Sequence, residues 1–289
     1  MEISVIIPTY NRSDTIREVL EHLSSQSLDK NDYEIIIVDD GSTDSTDKIV
    51  KKFIQENKDL NIKFFKQKNS GPAKARNAGI KNSIGRILVI IGDDIICPRD
   101  FLKNHIKAHK TKNIAVTGDQ IWTKKPNEFM KLLVDNESAT KRKNNLGIGG
   151  FCTANVSIER KWLQQELFDE DMGFGFEDSE LGYRLMKKGV RMVFDSSTKV
   201  YHKHYYDLEA FRKRQKTSGK NVPLFVKKHP ELKSTIVPKN RKIKKTLCML
   251  LIKLGIFQRL SPPFYAKLED LVNRIDGIEQ GIKQYGIKI

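Results

Sequence analysis

Two adjacent carboxylates follow an apolar run in the first half of this 289-residue sequence. The stretch "RILVIIGDDIICPRD" delivers Asp93 and Asp94 to a single point. Neighbouring like charges are unfavourable away from water, so a cation or hydrogen-bond donors are expected beside them. Hard cations such as Mg²⁺ and Mn²⁺ take oxygen ligands and bridge carboxylates to phosphates. The pair therefore predicts a divalent-metal site for a ligand that carries a diphosphate.

A second acid pair, Glu177 and Asp178, lies at a predicted helix start in "GFGFEDSELGYRLMKKG". Carboxylates in the first helical turn interact favourably with the helix dipole, so capping is one interpretation. The preceding "GFGF" loop is flexible and apolar, which favours a close approach to a ligand. A partly desolvated carboxylate in that position acts as a general base on a hydroxyl.

Two histidines, His202 and His204, alternate in "YHKHYYD". Alternate residues of a strand point to the same side of the sheet. With the distant aspartate pair, this pattern predicts that one histidine completes the metal site. His202 is favoured and His204 is the alternative, while a purely structural role stays open for both.

Three more motifs carry residues that suit ligand binding. Asp40 in "VDDGSTD" is placed to accept a hydrogen bond from a ligand N–H group, although turn formation also explains it. Lys74 and Arg76 in "GPAKARNAG" suit phosphate or nucleobase contacts near a helix start, with surface solvation as the alternative. Gly149 and Gly150 indicate either close backbone approach to a sugar or a simple bend.

The elements that position these residues alternate regularly in the first half. Helical patterns separate four apolar runs, "ISVIIPT", "YEIIIVDD", "IKFFKQ" and "RILVII". This predicts an α/β fold with a mostly parallel sheet covered by helices on both faces. Ligands bind beyond the carboxyl ends of such strands, where "PTYN", "VDDGSTD" and "GDDI" all lie. The three motifs are therefore expected on one rim.

The second half is less regular. "NIAVTGDQIW" and "FCTANVSIE" each predict one strand, and "VRMVFDSSTKVYHKHYYD" is strand-like. The loop at residues 136–147 is expected to contact the acceptor. We predict a catalytic domain over residues 1–205 and a basic helical region over residues 206–289.

The net charge of +16 is concentrated in the helical region. Lys239 to Arg259 carries seven basic residues and no acidic one. This segment is predicted to lie on an anionic membrane, with a solvated basic surface as the alternative. Nucleic acid is disfavoured because stacking aromatics are not interleaved with the basic residues. The predicted apolar stripe comprises Ile243, Leu247, Leu250, Leu254 and Phe257.

The last helix has an apolar three–four spacing typical of a coiled-coil seam. Packing on its own domain, self-association into a homo-oligomer and fraying all stay open. The seam comprises Phe264, Leu268, Leu271, Ile275, Ile278, Ile282, Tyr285 and Ile289.

The sequence gives no sign of secretion or of a membrane span. It opens on a strand-like run, and its longest apolar stretch, "TLCMLLIKLGIF", is too short for a spanning helix. Cys97, Cys152 and Cys248 lack metal-ligand spacing and read as reduced thiols. We expect a cytoplasmic protein that is peripheral on the inner face of the membrane.

Taken in order, "PTYN", "VDDGSTD", "GPAKARNAG", "GDDI", "GGFCTANVSI" and "GFGFEDSELGYRL" resemble the family 2 glycosyltransferases with a GT-A fold. The resemblance covers roughly residues 2–205. It implies a nucleotide-diphospho-sugar donor, most often a UDP-sugar, a divalent Mn²⁺ or Mg²⁺ ion, and inversion at the anomeric carbon. One departure is Ile91, which stands where many relatives carry the first aspartate of an Asp-x-Asp motif.

The resemblance also implies roles for single residues. The nucleoside would be framed by Pro8, Thr9 and Tyr10, with Asp40 on uracil N3, Arg76 near the base or phosphates, and Asp93 on the ribose. Asp94 would bind the metal with His202, Asp178 would be the base, and Glu177 would touch the acceptor.

The resulting expectation is an inverting transferase that moves a hexose or N-acetylhexosamine to a hydroxyl of a saccharide or lipid-linked cell-envelope acceptor. A sugar-nucleotide nucleotidyltransferase is disfavoured because "IIPTYNRSDT" contains no glycine for a phosphate loop. A non-catalytic nucleotide-sugar-binding module is disfavoured because both acid pairs are intact.

Overall fold

A computed structural model describes residues 1–131, 146–254, 261–287 and 289 of the chain. Most of the predicted acceptor loop (residues 136–145) and Phe257 of the predicted stripe lie outside these residues. The chain divides into two compact units. The sheet unit comprises Met1–Lys124, Thr140–Glu170 and Glu177–His204, and the helical unit comprises Lys125–Ala139, Asp171–Phe176 and Tyr205–Ile289.

Two sheets form the β-structure in the described part of the sheet unit. The main sheet has the strand order β3-β2-β1-β4-β8-β6-β9, and the small sheet has the order β5-β10-β7. The strands are Ile3–Thr9 (β1), Tyr33–Asp39 (β2), Ile62–Lys66 (β3), Ile87–Ile91 (β4), Ile95–Ile96 (β5), Ile114–Thr117 (β6), Gln120–Trp122 (β7), Asn155–Glu159 (β8), Arg191–Phe194 (β9) and Val200–His202 (β10).

The main sheet is mostly parallel, as predicted. Strands β1, β2, β3 and β4 run parallel to their neighbours, and β9 runs parallel to β6. Strand β8 is antiparallel to both β4 and β6. The central strands are runs of isoleucine and valine that are buried on both faces, as parallel sheets require.

Helices cover both faces of the main sheet. Ile7 faces a core with helix α1, whereas Ile6 faces a second core with residues of α5 and α6. The helices of the sheet unit are Ile16–Ser24 (α1), Thr46–Glu56 (α2), Pro72–Lys81 (α3), Phe101–Ala108 (α4), Arg160–Gln165 (α5) and Glu177–Lys187 (α6).

The prediction of one strand over "NIAVTGDQIW" is wrong. The segment forms β6 in the main sheet and β7 in the small sheet, with Gly118 between them. A Cβ at Gly118 would lie 2.2 Å from the carbonyl oxygen of Thr198, so only glycine fits where the chain changes sheets.

The strand predicted through His204 is also shorter than expected. A 3₁₀ turn over Ser196–Thr198 separates β9 from β10, and β10 ends at His202. His204 therefore lies beyond the strand and does not share its geometry with His202.

The helical unit is built mainly from two long helices and an amphipathic one. Among the described residues, its helices include Leu208–Lys228 (α7), Lys233–Ile236 (α8), Arg241–Lys253 (α9) and Pro262–Tyr285 (α10). No helix among the described residues is both long enough and apolar enough to span a membrane.

The apolar seam of α10 packs within the helical unit, as in the alternative in which this helix packs on its own domain. Ile278 packs with residues of α7, and Leu268 packs with Cys248 of α9. A Cβ at Gly277 or Gly281 would lie 2.1 Å from the carbonyl oxygens of Lys216 and Lys220, respectively. These glycines therefore permit close backbone approach of α7 and α10. Self-association through the same helix stays a prediction.

Candidate active site

The negative charge of Asp93 is compensated by hydrogen-bond donors from the segment that follows β1. The Arg12 Nε–H donates to Asp93 Oδ1 over 3.1 Å, and the backbone N–H of Tyr10 donates to Oδ2 over 3.3 Å. The Thr15 hydroxyl donates to the Asp93 carbonyl oxygen over 2.8 Å. Arg12 is thus the positive group that the sequence implied beside the acid pair. Arg12 was not among the predicted site residues, although "PTYNR" places a cation directly after a strand end.

The ionisation of Asp93 depends on its charged neighbours. Burial raises the pKa of Asp93 to about 6, with Asp94 acting in the same direction and Arg12 opposing both. A carboxyl group with a pKa this high gains from any further positive charge or hydrogen-bond donor that a ligand brings.

Asp94 lies beside His202, because β10 pairs with β5 immediately after the acid pair. The His202 Nε2 and Asp94 Oδ1 atoms are 3.9 Å apart, and the Lys203 N–H donates to the Asp94 carbonyl oxygen over 3.0 Å. The ring of Trp122 lies 4.5 Å from the His202 ring, centroid to centroid. Among the described residues, the imidazole that the structure pairs with Asp94 is therefore that of His202.

Asp94 and His202 provide an oxygen ligand and a nitrogen ligand of the kinds that bind divalent cations. The two residues, whose nearest carboxylate oxygen and imidazole nitrogen are 3.9 Å apart, would hold the ion. No cluster of three or more His, Cys, Asp or Glu ligands occurs in the described residues. A bound cation would therefore complete its coordination with water and ligand phosphates, as Mg²⁺ sites often do.

Asp40 organises the loop between β3 and α3. Its Oδ1 accepts from Gln67 Nε2 over 2.7 Å and from the Ser70 N–H over 2.9 Å. Its Oδ2 accepts only the Gly71 N–H, over 2.8 Å, among the hydrogen bonds described. A carboxylate oxygen has two acceptor positions, so Oδ2 retains room for a ligand donor. The predicted ligand contact of Asp40 stays a prediction.

Arg76 and Glu177 form a buried ion pair. The Arg76 Nη1 lies 2.8 Å from Glu177 Oε1, and the Arg76 guanidinium lies over the ring of Phe168 at 5.3 Å. The two residues are only 8% and 3% exposed. The pair joins helix α3 to the start of α6, while Lys74 is exposed on α3. The two predicted ligand contacts, of Arg76 and of Glu177, stay predictions.

Asp178 is the second residue of α6. Its Oδ1 accepts the Ser179 N–H over 2.7 Å. The preceding Gly175 and Phe176 have φ angles of 93° and 71°. A phenylalanine in the left-handed region is strained, and such residues concentrate at functional sites.

Direct contacts connect the predicted site residues in the sheet unit. Asp94 neighbours His202, and Asp93 binds Tyr10. The Asp40 N–H donates to the Thr9 carbonyl oxygen over 2.8 Å, and Asp40 holds the start of α3. Helix α3 then reaches Glu177 through Arg76. A series of contacts within the sheet unit therefore links Asp94 to Glu177.

The sequence matches a known family. The protein-family sequence model described as "Glycosyl transferase family 2" matches residues 4–167, more than half of the chain. A dolichyl N-acetyl-alpha-D-glucosaminyl phosphate 3-beta-D-2,3-diacetamido-2,3-dideoxy-beta-D-glucuronosyltransferase from Methanococcus voltae is 30% identical over 203 residues. That match covers 66% of this chain and 63% of the relative. The chain spans between 18% and 63% of the length of curated relatives that it matches.

Solved structures share the fold. The mannosyltransferase PcManGT from Pyrobaculum calidifontis, in complex with GDP-Man and Mn²⁺, has a TM-score of 0.74 and 18% sequence identity. The alignment covers 98% of this chain and 87% of that chain. S. aureus TarS 1-349 in complex with UDP has a TM-score of 0.57 and 20% identity, covering 99% and 92%. These likenesses show the GT-A fold.

Proposed function

Because the chain belongs to glycosyl transferase family 2, we propose that it transfers a sugar from a nucleotide-diphospho-sugar to an acceptor hydroxyl, with inversion. The contact network from Asp94 to Glu177 carries this proposal. It supports one shared ligand site, because contacts lead from the acid pair that would bind the cation to Glu177 of the second acid pair. Such a site would lie beyond the carboxyl ends of the strands, where α/β proteins bind ligands.

The proposed donor is a UDP-sugar, with a GDP-sugar as the alternative. The TarS and PcManGT structures are complexes with UDP and GDP-Man, respectively. Pro8, Thr9 and Tyr10 would frame the nucleoside, and the 45% exposed ring of Tyr10 is available for contact with the base. Asp40 Oδ2 would accept the base N–H, and Asp93 would bind the ribose. The transferred group would be a hexose or N-acetylhexosamine.

Asp94 and His202 would hold the divalent cation, Mn²⁺ or Mg²⁺. When bound, the cation neutralises the charge that develops on the departing nucleoside diphosphate. Arg12 supports the same region, because it balances Asp93 next to the metal ligand. The Mn²⁺ in the PcManGT complex supports this assignment.

Asp178 would act as the general base. An acceptor hydroxyl attacks the anomeric carbon from the face opposite the leaving diphosphate, and its proton passes to Asp178. The bond to the acceptor oxygen forms as the bond to the diphosphate oxygen breaks, so the configuration inverts. The Arg76–Glu177 ion pair would fix the start of α6 and hold Asp178 towards the acceptor. We propose a saccharide or a lipid-linked cell-envelope compound as that acceptor.

Replacing Asp178 by asparagine tests the base. We expect turnover to fall by about 10²–10⁴-fold, because the amide accepts no proton. Binding of UDP in the presence of Mn²⁺, measured by calorimetry, should be unchanged. Asp59→Asn, at a position whose side chain is 63% exposed, is the matched control and should retain full turnover. Normal turnover of Asp178→Asn would remove Asp178 as the base.

A donor panel separates the competing functions. Wild-type protein with Mn²⁺ is incubated with UDP- and GDP-sugars and candidate acceptors, and separately with nucleoside triphosphates and sugar phosphates. Release of nucleoside diphosphate is measured in the first set and release of pyrophosphate in the second. A transferase releases nucleoside diphosphate, and a nucleotidyltransferase instead forms pyrophosphate from a nucleoside triphosphate and a sugar phosphate. A binding module binds the donor without releasing product, and that outcome would contradict the proposal.

A further inference from the structure

Helix α9 of the helical unit has one packed face. Cys248 packs with Leu268 and Val272 of α10. The Lys245 ammonium forms ion pairs with Asp276 and Glu279, the latter at 2.7 Å. This face is therefore satisfied by apolar and charged partners on α10.

The opposite face of α9 is apolar and exposed. At about 100° per residue, four large side chains project within a sector of roughly 60°, on the side opposite Lys245 and Cys248. We call them the apolar stripe. They are Ile243, Leu247, Leu250 and Leu254, which are 71%, 56%, 56% and 56% exposed.

Exposed lysines border the apolar stripe on both sides. Lys244 projects on one side, and Lys242 and Lys253 project on the other. The sequence contains no acidic residue between Glu231 and Glu269. Single exposed apolar side chains are ordinary, but a continuous exposed stripe marks an interaction surface.

We propose that α9 docks on the surface of an anionic lipid bilayer. The apolar stripe would enter the boundary between head groups and acyl chains, and the lysines would extend to the lipid phosphates. Charge complementarity selects this partner, because the exposed border carries only positive charge.

A second copy of the chain fits this face poorly. A two-fold contact along the apolar stripe would bring the lysine borders of both copies together, with no acidic residue on either side to balance them. Like charges across a contact oppose association. A bilayer that contains anionic lipids provides both the apolar and the negative component.

A cleft at the start of α9 adds a place for one head group. Its volume is about 800 Å³, and it shares Lys242 and Ile243 with the helix. Lys233, Lys239 and Arg241 also line it. Glu231 lines the cleft as well, so four basic side chains and one acidic side chain belong to its lining. The excess of positive charge extends the cationic border of the apolar stripe at one end.

This inference does not depend on the proposed transferase activity, since docking uses neither acid pair. It deepens that proposal by bringing a lipid-linked acceptor to the protein. Vesicle binding without donor or metal tests the docking alone, so failure of docking and failure of catalysis are distinguishable.

The test is co-sedimentation of the full chain with vesicles. One set is pure phosphatidylcholine, and the other contains about one third phosphatidylserine. We expect binding to the second set to be stronger, by about fivefold for each lysine that contacts the surface. Equal binding to both sets, or no binding to either, would overturn the proposal.

Two variants assign the binding to α9. Leu247→Glu with Leu250→Glu should abolish binding, and Lys242→Gln with Lys244→Gln and Lys253→Gln should remove the preference for phosphatidylserine. A control that replaces the exposed Lys58, Lys81 and Lys110 of the sheet unit by glutamine makes the same charge change and should bind like wild type. Circular dichroism and nucleotide release with soluble substrates should be unchanged in all three variants.

Two results would contradict the assignment. Wild-type binding by both α9 variants would place the membrane contact elsewhere. A dimer in ultracentrifugation that Leu247→Glu with Leu250→Glu dissociates would instead make the apolar stripe a contact between two copies.

Discussion

Asp93 shows how one long-range contact sets the chemistry of a site residue. Burial and Asp94 raise the pKa of Asp93 to about 6, and Arg12 acts against them. The Arg12 Nε atom lies 3.1 Å from Asp93 Oδ1, so its guanidinium brings a positive charge next to this carboxylate. The free protein therefore has an internal positive charge for the acid pair, and metal binding would add a second.

Replacing Arg12 by glutamine should destabilise the metal-free protein. We expect a loss of about 1–2 kcal/mol, because Asp93 loses its charged partner and takes up a proton more readily. Mn²⁺ at saturating concentration should recover most of this loss by supplying positive charge next to Asp93. Thermal unfolding with and without Mn²⁺ measures both effects.

Arg17→Gln is the matched control, since it removes exposed ion pairs to Glu21 of α1 and Glu56 of α2. Ion pairs on the protein surface contribute little to stability, and Mn²⁺ should not change that contribution. An Arg12→Gln protein that is as stable as wild type without metal would contradict the role of Arg12.

The sequence predicted candidate ligand-binding and catalytic residues, but not which of these residues contact one another. Both acid pairs, His202 and Asp40 stand out by type and by position after strands or before a helix. The ion pair between Arg76 and Glu177 joins residues that are 101 positions apart, and no local pattern indicates such a contact. Arg12 was missed for the same reason, since it partners Asp93 across 81 positions.

At the scale of elements, α4 and β8 enclose a neutral histidine network. The Asn155 Nδ2 donates to the Thr198 carbonyl oxygen, so its Oδ1 accepts from His105 Nε2 at 3.2 Å. His105 Nδ1 then accepts from the Ser157 hydroxyl at 2.7 Å, and Ser157 Oγ accepts from His109 Nε2 at 2.8 Å. His105 must be neutral in this arrangement, because its Nδ1 atom accepts a hydrogen bond.

The network predicts loss of stability in acid. Burial lowers the pKa of His105 to about 3 and that of His109 to about 4, whereas the ordinary value is 6.5. Below pH 6.5 the unfolded chain binds protons that the folded chain excludes, so the free energy of unfolding falls as pH falls towards 4. Each histidine contributes about 1.4 kcal/mol per pH unit to this slope.

His109→Gln should reduce the slope by the share of one histidine. Urea unfolding between pH 7 and pH 4.5 measures it, and His22→Gln, at a half-buried position of α1, controls for loss of a histidine elsewhere. An unchanged slope in His109→Gln would show that His109 is not the titrating group.

The sequence predicted the helices and strands that have long apolar patterns, but it did not predict the short strands. Strands β1, β2 and β4 and helices α1 to α3 follow from their apolar patterns. Strands β5, β7 and β10 have only two or three residues each, and they exist because they pair with one another. The small sheet that brings His202 to Asp94 is therefore a product of tertiary pairing, which local sequence does not show.

At the scale of the whole molecule, the chain forms two units with different sources of stability. The sheet unit buries parallel strands between helices, and the helical unit depends on close approach of α7 and α10 at glycines. The proposed nucleotide contacts all belong to the sheet unit. Nucleotide binding is therefore expected to stabilise the sheet unit, and a change in the packing of α7 against α10 is expected to affect the helical unit.

Hydrogen exchange measured by mass spectrometry tests this division. UDP with Mn²⁺ at about 100 times its Kd stabilises the unit that binds it by about 2.7 kcal/mol. Slower exchange is expected in β1, β2 and β4, with α7 and α10 unchanged.

Gly277→Ala should instead destabilise the helical unit, because its Cβ would lie 2.1 Å from the Lys216 carbonyl oxygen. Such overpacking costs about 1–3 kcal/mol and should speed exchange in α7 and α10 alone. Equal responses in both units to either change would mean that the chain unfolds as one cooperative body.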